Sequence, residues 1–319
     1  MVSNRMSLNP PDIEELEARL KTILPEEYQD SYDNVQPVSM GSAGLKYDRD
    51  GRVAWDEIWG SFCDLAMAGG PPHKGTLLEP ASPETIEAHP DRYRWVVEEI
   101  CRGIEMVTDL AAFPSSDPGW IQVDCTSHSM TGWLTRAIVM ENIAARFEGL
   151  ALFLPAGPHY RLDKETKNVI TSIAKTCHYW LGHTSAEQHR AIGNLFVKIQ
   201  QESPLLSPAL LGNNISTAAR DEHDALKEKT ATMIHRQTGL TPSSHHYFGW
   251  LGLECPDVRS AVWMMRIFVV SNALSRREGT TVFIPINQIT DPEGETATRL
   301  VAQTHRFAAE RNILPSHRT

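Results

Sequence analysis

Gly119-Trp120-Ile121-Gln122-Val123-Asp124-Cys125 returns later in the chain as Gly249-Trp250-Leu251-Gly252-Leu253-Glu254-Cys255. The correspondence runs on without a gap through Trp133/Trp263, Arg136/Arg266, Val139/Val269, Asn142/Asn272, Arg146/Arg276, Glu148/Glu278, Gly149/Gly279, Phe153/Phe283, Pro155/Pro285 and Glu165-Thr166/Glu295-Thr296. Over residues 119–166 this makes 14 identities in 48 positions at a constant offset of 130, where unrelated segments of ordinary composition share about 3. A chain written this way is expected to build one supersecondary unit twice, with two pseudo-symmetric halves related by a pseudo-twofold axis.

Each copy reads as strand, helix, strand, helix. In the first copy these are Trp120 to Asp124, Met130 to Arg146, Leu150 to Leu154 and Asp163 to Leu181. Apolar strands separated by helices long enough to cross over predict right-handed βαβ units with parallel neighbours. The fold class is therefore α/β, built from duplicated βαβα units. Gly149 and Gly279 stand where a helix is expected to give way to a strand, a place for a residue without a Cβ. The helix over Thr217 to Gly239 precedes the second copy as Arg94 to Leu110 precedes the first.

Ahead of the repeat, Ile13, Leu16, Leu20 and Ile23 have helical spacing, and Asp12 to Leu24 should dock on the body as an N-terminal helix. Val35 to Val53 reads as a hairpin turning at Asp48-Arg49-Asp50-Gly51, whose Asp-Gly pair supplies positive φ. Trp55 to Met67 reads as a helix, Gly75 to Leu78 as a strand, and Pro83 to Leu110 contains a further helix. The order helix, glycine, strand, proline over Trp55 to Pro80 faintly echoes the repeat and raises a third, divergent copy. Ser185 to Glu202 is a helix between the copies, followed by the break Ser203-Pro204-Leu205-Leu206-Ser207-Pro208. The expected organisation is an N-terminal helix, hairpin and helix-strand-helix segment over 1–111, the first repeat over 112–184, a helical connection over 185–245 and the second repeat over 246–319.

A formal charge of −10, with no Lys/Arg run longer than two, leaves no basic field for nucleic acid. The first twenty residues lack an apolar signal core, and no uninterrupted apolar stretch reaches the ~18 residues of a membrane span. Five scattered cysteines (63, 101, 125, 177, 255) without a C-x-x-C pair fit reduced thiols. The expectation is a cytoplasmic protein with no nucleic-acid or membrane partner, for which self-association as a homo-oligomer stays open.

Cys125 and Cys255 end the first strand of each copy, just ahead of a helix. Ligands of open α/β sheets bind beyond strand carboxyl ends, and a thiol near a helix N-terminus has its thiolate favoured. Two such thiols facing across a pseudo-axis can take a proton from one face of a carbon and return it to the other. Cysteine equally serves as a small buried apolar residue in a strand. His128, three residues after Cys125, and His159, in the loop after the second strand, are the candidate bases.

Differences between the copies point to specialisation. His128, Glu141, His159, Lys164, Lys167, Lys175 and His178 stand opposite Val258, Ser271, Ile289, Gly294, Ala297, His305 and Ala308. Lys164, Asn168, Thr171, Lys175 and His178 form one polar stripe on the last helix of the first copy, which is either solvated or lines a pocket for an anion. Arg136, Lys175 and His178 join His73 and Lys74 of the loop Gly69-Gly70-Pro71-Pro72-His73-Lys74-Gly75 as candidate anion contacts. That loop matches no phosphate-binding motif: its prolines offer no donors, and helix precedes strand.

Thirteen histidines raise the question of metal. A set of His128, His159 and His178, Cys177-His178 with His183 and His189, or His245-His246 near Cys255 can be drawn, but none has an established ligand spacing. No glycine-rich dinucleotide fingerprint follows any predicted strand, which disfavours NAD and FAD. The functional expectation is a cofactor-independent isomerase or lyase acting on a small anionic metabolite between the halves through Cys125, Cys255, His128 and His159. The alternatives are a metal-dependent or metal-binding protein using the first-copy histidines, and a non-catalytic binding or assembly protein.

Overall fold

The repeat closes two antiparallel sheets. In a computed structural model that describes residues 11–30, 44–59, 76–209, 217–245 and 247–314, the first sheet holds β1 (Ala112–Pro114), β2 (Trp120–Asp124), β3 (Arg146–Glu148) and β4 (Ala151–Pro155) in the order β1-β2-β4-β3. The second holds β5 (Thr241–Pro242), β6 (Trp250–Glu254), β7 (Arg276–Glu278) and β8 (Thr281–Pro285) in the order β5-β6-β8-β7. Trp120 pairs with Pro155 and Trp250 with Pro285; Arg146 pairs with Phe153 and Arg276 with Phe283. The register thus repeats at the same offset as the sequence identities.

This corrects the parallel βαβ expectation, because every strand pair of the two sheets is antiparallel. The helix after β2 is α4 (His128–Met140), and it stops six residues before Arg146. The chain turns out of it at Asn142, with φ of 61°, and Asn272 does the same with φ of 63°. Asparagine tolerates this left-handed position at a helix end better than most residues. The three residues of β3 then reverse onto β4 through a two-residue turn. Glu148 pairs with Ala151 across Gly149-Leu150, and Gly149 alone of the two has positive φ. Glycine at the first central position is what such a hairpin turn demands. Gly149 and Gly279 therefore make hairpin turns, while Asn142 and Asn272 end the helices.

The remaining helices are α1 (Ile13–Ile23), α2 (Pro83–Ala88), α3 (Pro90–Thr108), α5 (Lys167–Gly182, entered through a π-turn over Leu162–Thr166), α6 (Ala186–Glu202), α7 (Thr217–Thr238), α8 (Val258–Val270) and α9 (Glu295–Glu310). None of the described helices is long and apolar enough to cross a membrane. In the first unit α3 and α4 pack on α5; in the second α7 and α8 pack on α9. Ser127 caps α4 by accepting from Met130 N, and Asp257 with Ser260 forms a capping box on α8, so both helices begin three residues beyond a strand-end cysteine.

Leu78 bridges Ile143 in parallel and Leu206 bridges Ala273 in parallel. The segment before α2 thus bridges the first unit as Leu205-Leu206-Ser207-Pro208 bridges the second; most of Trp55 to Pro80, where the sequence raises a third copy, lies outside the described residues. Of the expected hairpin, the Asp48–Gly51 turn is present with Tyr47 bridging Val53. The helix from Trp55 is described as far as residue 59. Residues 31–43, the rest of that helix, Cys63, the glycine-proline loop with His73 and Lys74, and His246 lie outside the described residues.

The N-terminal helix joins the parts. Leu16, Leu20 and Ile23 of α1 are buried, each contributing roughly 1.5–3 kcal/mol by leaving water. The helix packs on α8 of the second unit and on α6, which in turn covers α4 of the first. Arg19 is buried and bonds Glu15 and Glu202, both at 2.7 Å, tying α1 to the end of α6. Trp133 Nε1 donates to the Ile23 carbonyl at 2.8 Å.

The two units also exchange hydrogen bonds directly. Arg276, at 0% exposure, donates from Nη1 to Asn142 Oδ1 (3.0 Å) and to Glu278 Oε1 (2.6 Å). Asn142 Nδ2 donates to the Arg277 carbonyl at 2.8 Å. In the other direction Arg136 Nη2 donates to Asn272 Oδ1 at 2.7 Å. The Arg276 guanidinium lies over Phe283 (3.9 Å) and Tyr247 (4.3 Å), and these rings hold a charge that burial alone would expel. Asn142→Gly keeps the left-handed backbone and deletes both cross-unit bonds. We expect it to cost about 2–3 kcal/mol in urea denaturation, the scale of hydrogen bonds to charged and buried groups; a cost below about 0.5 kcal/mol would remove this contact from the account.

Candidate functional site

Of the stripe Lys164, Asn168, Thr171, Lys175 and His178, Lys164 is exposed, Asn168 and His178 are half-buried, and Thr171 and Lys175 are buried, as is Lys167 beside them; the face is solvated where it begins and covered in its middle. A charged amine is removed from water only at a substantial cost unless it is paired. Lys175 Nζ meets Glu141 Oε1 at 2.7 Å with both side chains buried. Burial pulls the Lys167 amine below the usual lysine range, with Asp163 opposing the shift. Burial likewise lowers Arg277, on β7 of the second unit, where Glu141 acts in the opposite sense. Glu141 caps the end of α4 beside Asn142, so the cross-unit bonds of Asn142 also set where this carboxylate stands.

Toward the C-terminal end of α5 the stripe becomes a chain of proton-carrying groups. Tyr179 Oη lies 3.1 Å from Tyr28 Oη. His183 Nδ1 meets Glu27 Oε1 at 2.8 Å and His183 Nε2 meets His178 Nε2 at 3.2 Å. The network assigns the tautomers: Nδ1–H of His183 donates to the carboxylate, leaving its Nε2 to accept from Nε2–H of His178. Burial, helped by His183 and opposed by Glu27, holds His178 below the usual histidine range. A lowered value favours the neutral ring at neutral pH. Trp59 meets the His178 ring edge-on at 5.9 Å. Burial and the Tyr28 hydroxyl push the Tyr179 phenol above its ordinary range.

Glu27 and Tyr28 come from the 3-10 turn Glu26–Tyr28 that follows α1. The site is thus assembled from α5, the end of α4, the turn behind α1 and the edge of β7. Solvent access is graded along it: the Glu27 side chain is 38% exposed and that of His183 20%, whereas Lys175 and Glu141 are buried.

The cysteines sit elsewhere. Cys125 N–H donates to the Leu150 carbonyl, and the thiol packs in the core. Burial pushes it up to about 11, with Thr131 opposing and Asp124 adding to the shift. Cys255 packs with its sulfur 3.9 Å from Met264 Sδ, and burial pushes it up to about 12. Both are protonated thiols at neutral pH. His128 is exposed and turns Nδ1 to the Gly149 carbonyl at 3.2 Å. His159 is exposed, edge-on to Tyr160. Arg136 is buried over Phe196 and engaged with Gly132 and Asn272, a structural role. His189 stacks on Trp180 at 3.9 Å and bonds Thr184, outside the His178–His183 pair.

Of the residues singled out in the sequence, Lys175 and His178 lie three residues apart on α5, Lys175 engaged with Glu141 and His178 with His183, while His128 and His159 have contacts of their own away from them. Among the described residues no group of three His, Cys, Asp or Glu side chains is placed to hold a metal ion, so His128, His159 and His178 form no ligand set. The sequence reading did not include Glu27, Tyr28 or Tyr179 in the site. The available signal for Tyr179 was its i+4 spacing from Lys175. Compared with family models, curated proteins and solved structures, the chain matches none.

The burial of the thiols is directly measurable. In a Cys63→Ser protein at pH 8, iodoacetamide should modify Cys125 and Cys255 roughly 100-fold or more slower than a free cysteine, because so little thiolate forms. Labelling at the free-cysteine rate in the folded protein would return these residues to the list of reactive groups.

Proposed function

We propose that the chain is a cofactor-independent acid–base enzyme of the isomerase or lyase class, acting on a small anionic molecule at the α5 face of the first unit, where that unit meets β7 of the second. In this reading the two units descend from one ancestral unit by duplication and keep its pseudo-twofold relation, and the protein is cytoplasmic with reduced thiols.

What supports the reading is a contrast between equivalent helices. On α9 the positions matching Lys167, Thr171 and His178 are Ala297, Val301 and Ala308, all buried and apolar. The position matching Glu141 is Ser271. The position matching Lys175 is His305, also buried. The second copy is therefore built without the lysines and the glutamate of the first at these places, so the fold does not require a Lys–Glu pair here. Buried charges that a fold does not need are characteristic of sites kept for chemistry.

The roles follow from position. Lys167 and Lys175 receive the anionic part of the substrate, and Glu141 holds the Lys175 amine in place. His178 takes or returns a proton at the reacting carbon, with His183 and Glu27 passing charge toward solvent. Tyr179, backed by Tyr28, is a second proton carrier and stays protonated at neutral pH. The thiols take no part.

The test is hydrogen exchange at carbon. The protein is incubated in D2O with a panel of small carboxylic and phosphorylated acids that carry an acidic C–H, and loss of that proton is followed by NMR. We expect exchange with at least one member, lowered about 100-fold or more in His178→Ala, the scale of a general acid–base contribution, and kept within about twofold in Cys125→Ala. Exchange that survives in His178→Ala and disappears in Cys125→Ala would move the chemistry back to the thiol; no exchange with any member counts against the enzyme reading.

A further inference from the structure

The two units close the same corner with different side chains. In the first, Gly119 N–H donates to Tyr93 Oη of α3 at 2.8 Å; in the second, Gly249 N–H donates to His223 Nε2 of α7 at 3.1 Å. Both glycines have positive φ, 86° and 76°, and a Cβ on either would lie 2.6 Å from Ala81 O or 2.4 Å from Ala209 O. The backbone at each corner is therefore pinned between a helix and the segment that precedes it.

A backbone N–H can only donate, so Nε2 of His223 must present a lone pair. The ring proton then sits on Nδ1 and is donated to Gln288 Oε1 at 3.1 Å. His223 is 0% exposed, with its ring 4.2 Å from that of Phe248. One neutral imidazole thus ties α7 to the turn before β6 and to the loop after β8.

We propose that His223 is a proton-operated latch of the second unit: protonation at Nε2 turns the acceptor into a donor facing the Gly249 N–H, and α7 releases both the β6 turn and the Gln288 loop. No water can screen two opposed donors at a fully buried position, so the corner must open to accept the proton. Tyr93 does not gain a proton in this range, so the first corner stays shut.

The charges nearest the ring act in opposite senses: Asp224 favours an imidazolium and Lys227 disfavours it, and the two, both on α7, pair with each other at 2.8 Å. From the loop into α9, Asp291 caps Thr296 and Ala297, and Glu293 is engaged by Lys229. Glu295 and Arg299 of α9 are exposed. The turn before β6 supplies Phe248, Gly249 and Tyr247, whose hydroxyl is turned to Glu278. Pro208 and Ala209 on the remaining side are uncharged. Burial accordingly holds His223 below the usual histidine range, with Gln288 opposing the shift. The sign is then fixed. The unfolded chain takes up this proton first as pH falls, so the contribution of the corner is complete above about 6.5 and is lost as pH drops through the lower folded value.

The experiment is amide hydrogen exchange of the whole wild-type chain, read by mass spectrometry on peptides covering 117–124 and 247–254 and corrected for intrinsic rate. Between pH 7.5 and pH 5.0 we expect exchange in 247–254 to speed up tenfold or more while 117–124 is unchanged. His223→Tyr, which gives the second unit the side chain of the first, should abolish the difference. Equal behaviour of the two wild-type segments, or a difference that persists in His223→Tyr, overturns the proposal; the wild-type comparison stands by itself if the variant does not fold.

Discussion

The hydrogen bonds that Asn142 and Asn272 carry between the units are the contact on which the rest of this structure, the proposed site included, depends. Each asparagine ends a helix in the left-handed conformation, and each accepts from an arginine of the other unit. A guanidinium that leaves water completely needs both acceptors and polarisable surface, and Arg276 has Asn142, Glu278 and three aromatic rings. The rings Trp250 and Phe283 are drawn into the main core by this contact, whereas Trp120 and Phe153, stacked with Arg146 on the first sheet, lie outside it. Arg146 pairs instead with Asp117 on its own unit. The contact therefore makes the two sheets unequal, although their registers match.

That inequality extends to the helices. Glu141 is the residue before Asn142, so the bond that fixes Asn142 fixes the end of α4 from which Glu141 reaches Lys175. Beyond Lys175, α5 carries His178 and Tyr179 to the turn behind α1, and α1 is itself held across both units by Leu16, Leu20, Ile23 and Arg19. The acid–base groups of the proposed site thus come from α5, the end of α4 and the turn behind α1, and these elements are clamped by packing and by buried polar bonds. Such placement is what acid–base chemistry needs, because a proton moves only between groups held within hydrogen-bond reach.

Much of the frame was legible in the sequence and the direction of its strands was not. The offset of 130 foretold the matched registers, α1 follows from its apolar spacing, and helices stand over Ser185 to Glu202 and Thr217 to Gly239 as read. The strands β1 and β3 are three residues each, too short to show an alternation, and without β3 the units read as parallel. Gly149-Leu150 was the missed signal: a glycine at the first of two residues between extended segments suits a hairpin turn, although the first segment, Arg146-Phe147-Glu148, is not an apolar run. The error carried into the site. Cys125 does end a strand, but in an antiparallel sheet the strand ends share no common carboxyl edge where a ligand would settle, and its thiol points into the core. The stripe on α5 was visible from its spacing, which tells one helix face from another but not what covers it; Glu27 and Tyr28 arrive from a turn some 150 residues away in sequence.

The central claim is that the charges of the first unit are kept for chemistry and not for folding. The direct measurement is the urea stability of a protein carrying Glu141→Ser, Lys167→Ala, Lys175→His and His178→Ala, the residues that the second unit holds at Ser271, Ala297, His305 and Ala308. Removing both partners of a buried ion pair together is commonly neutral or stabilising, and active-site charges tend to cost stability. The account predicts a folded protein at least as stable as the wild type. A loss of more than about 3 kcal/mol, the penalty expected when a buried structural network is broken, would contradict it.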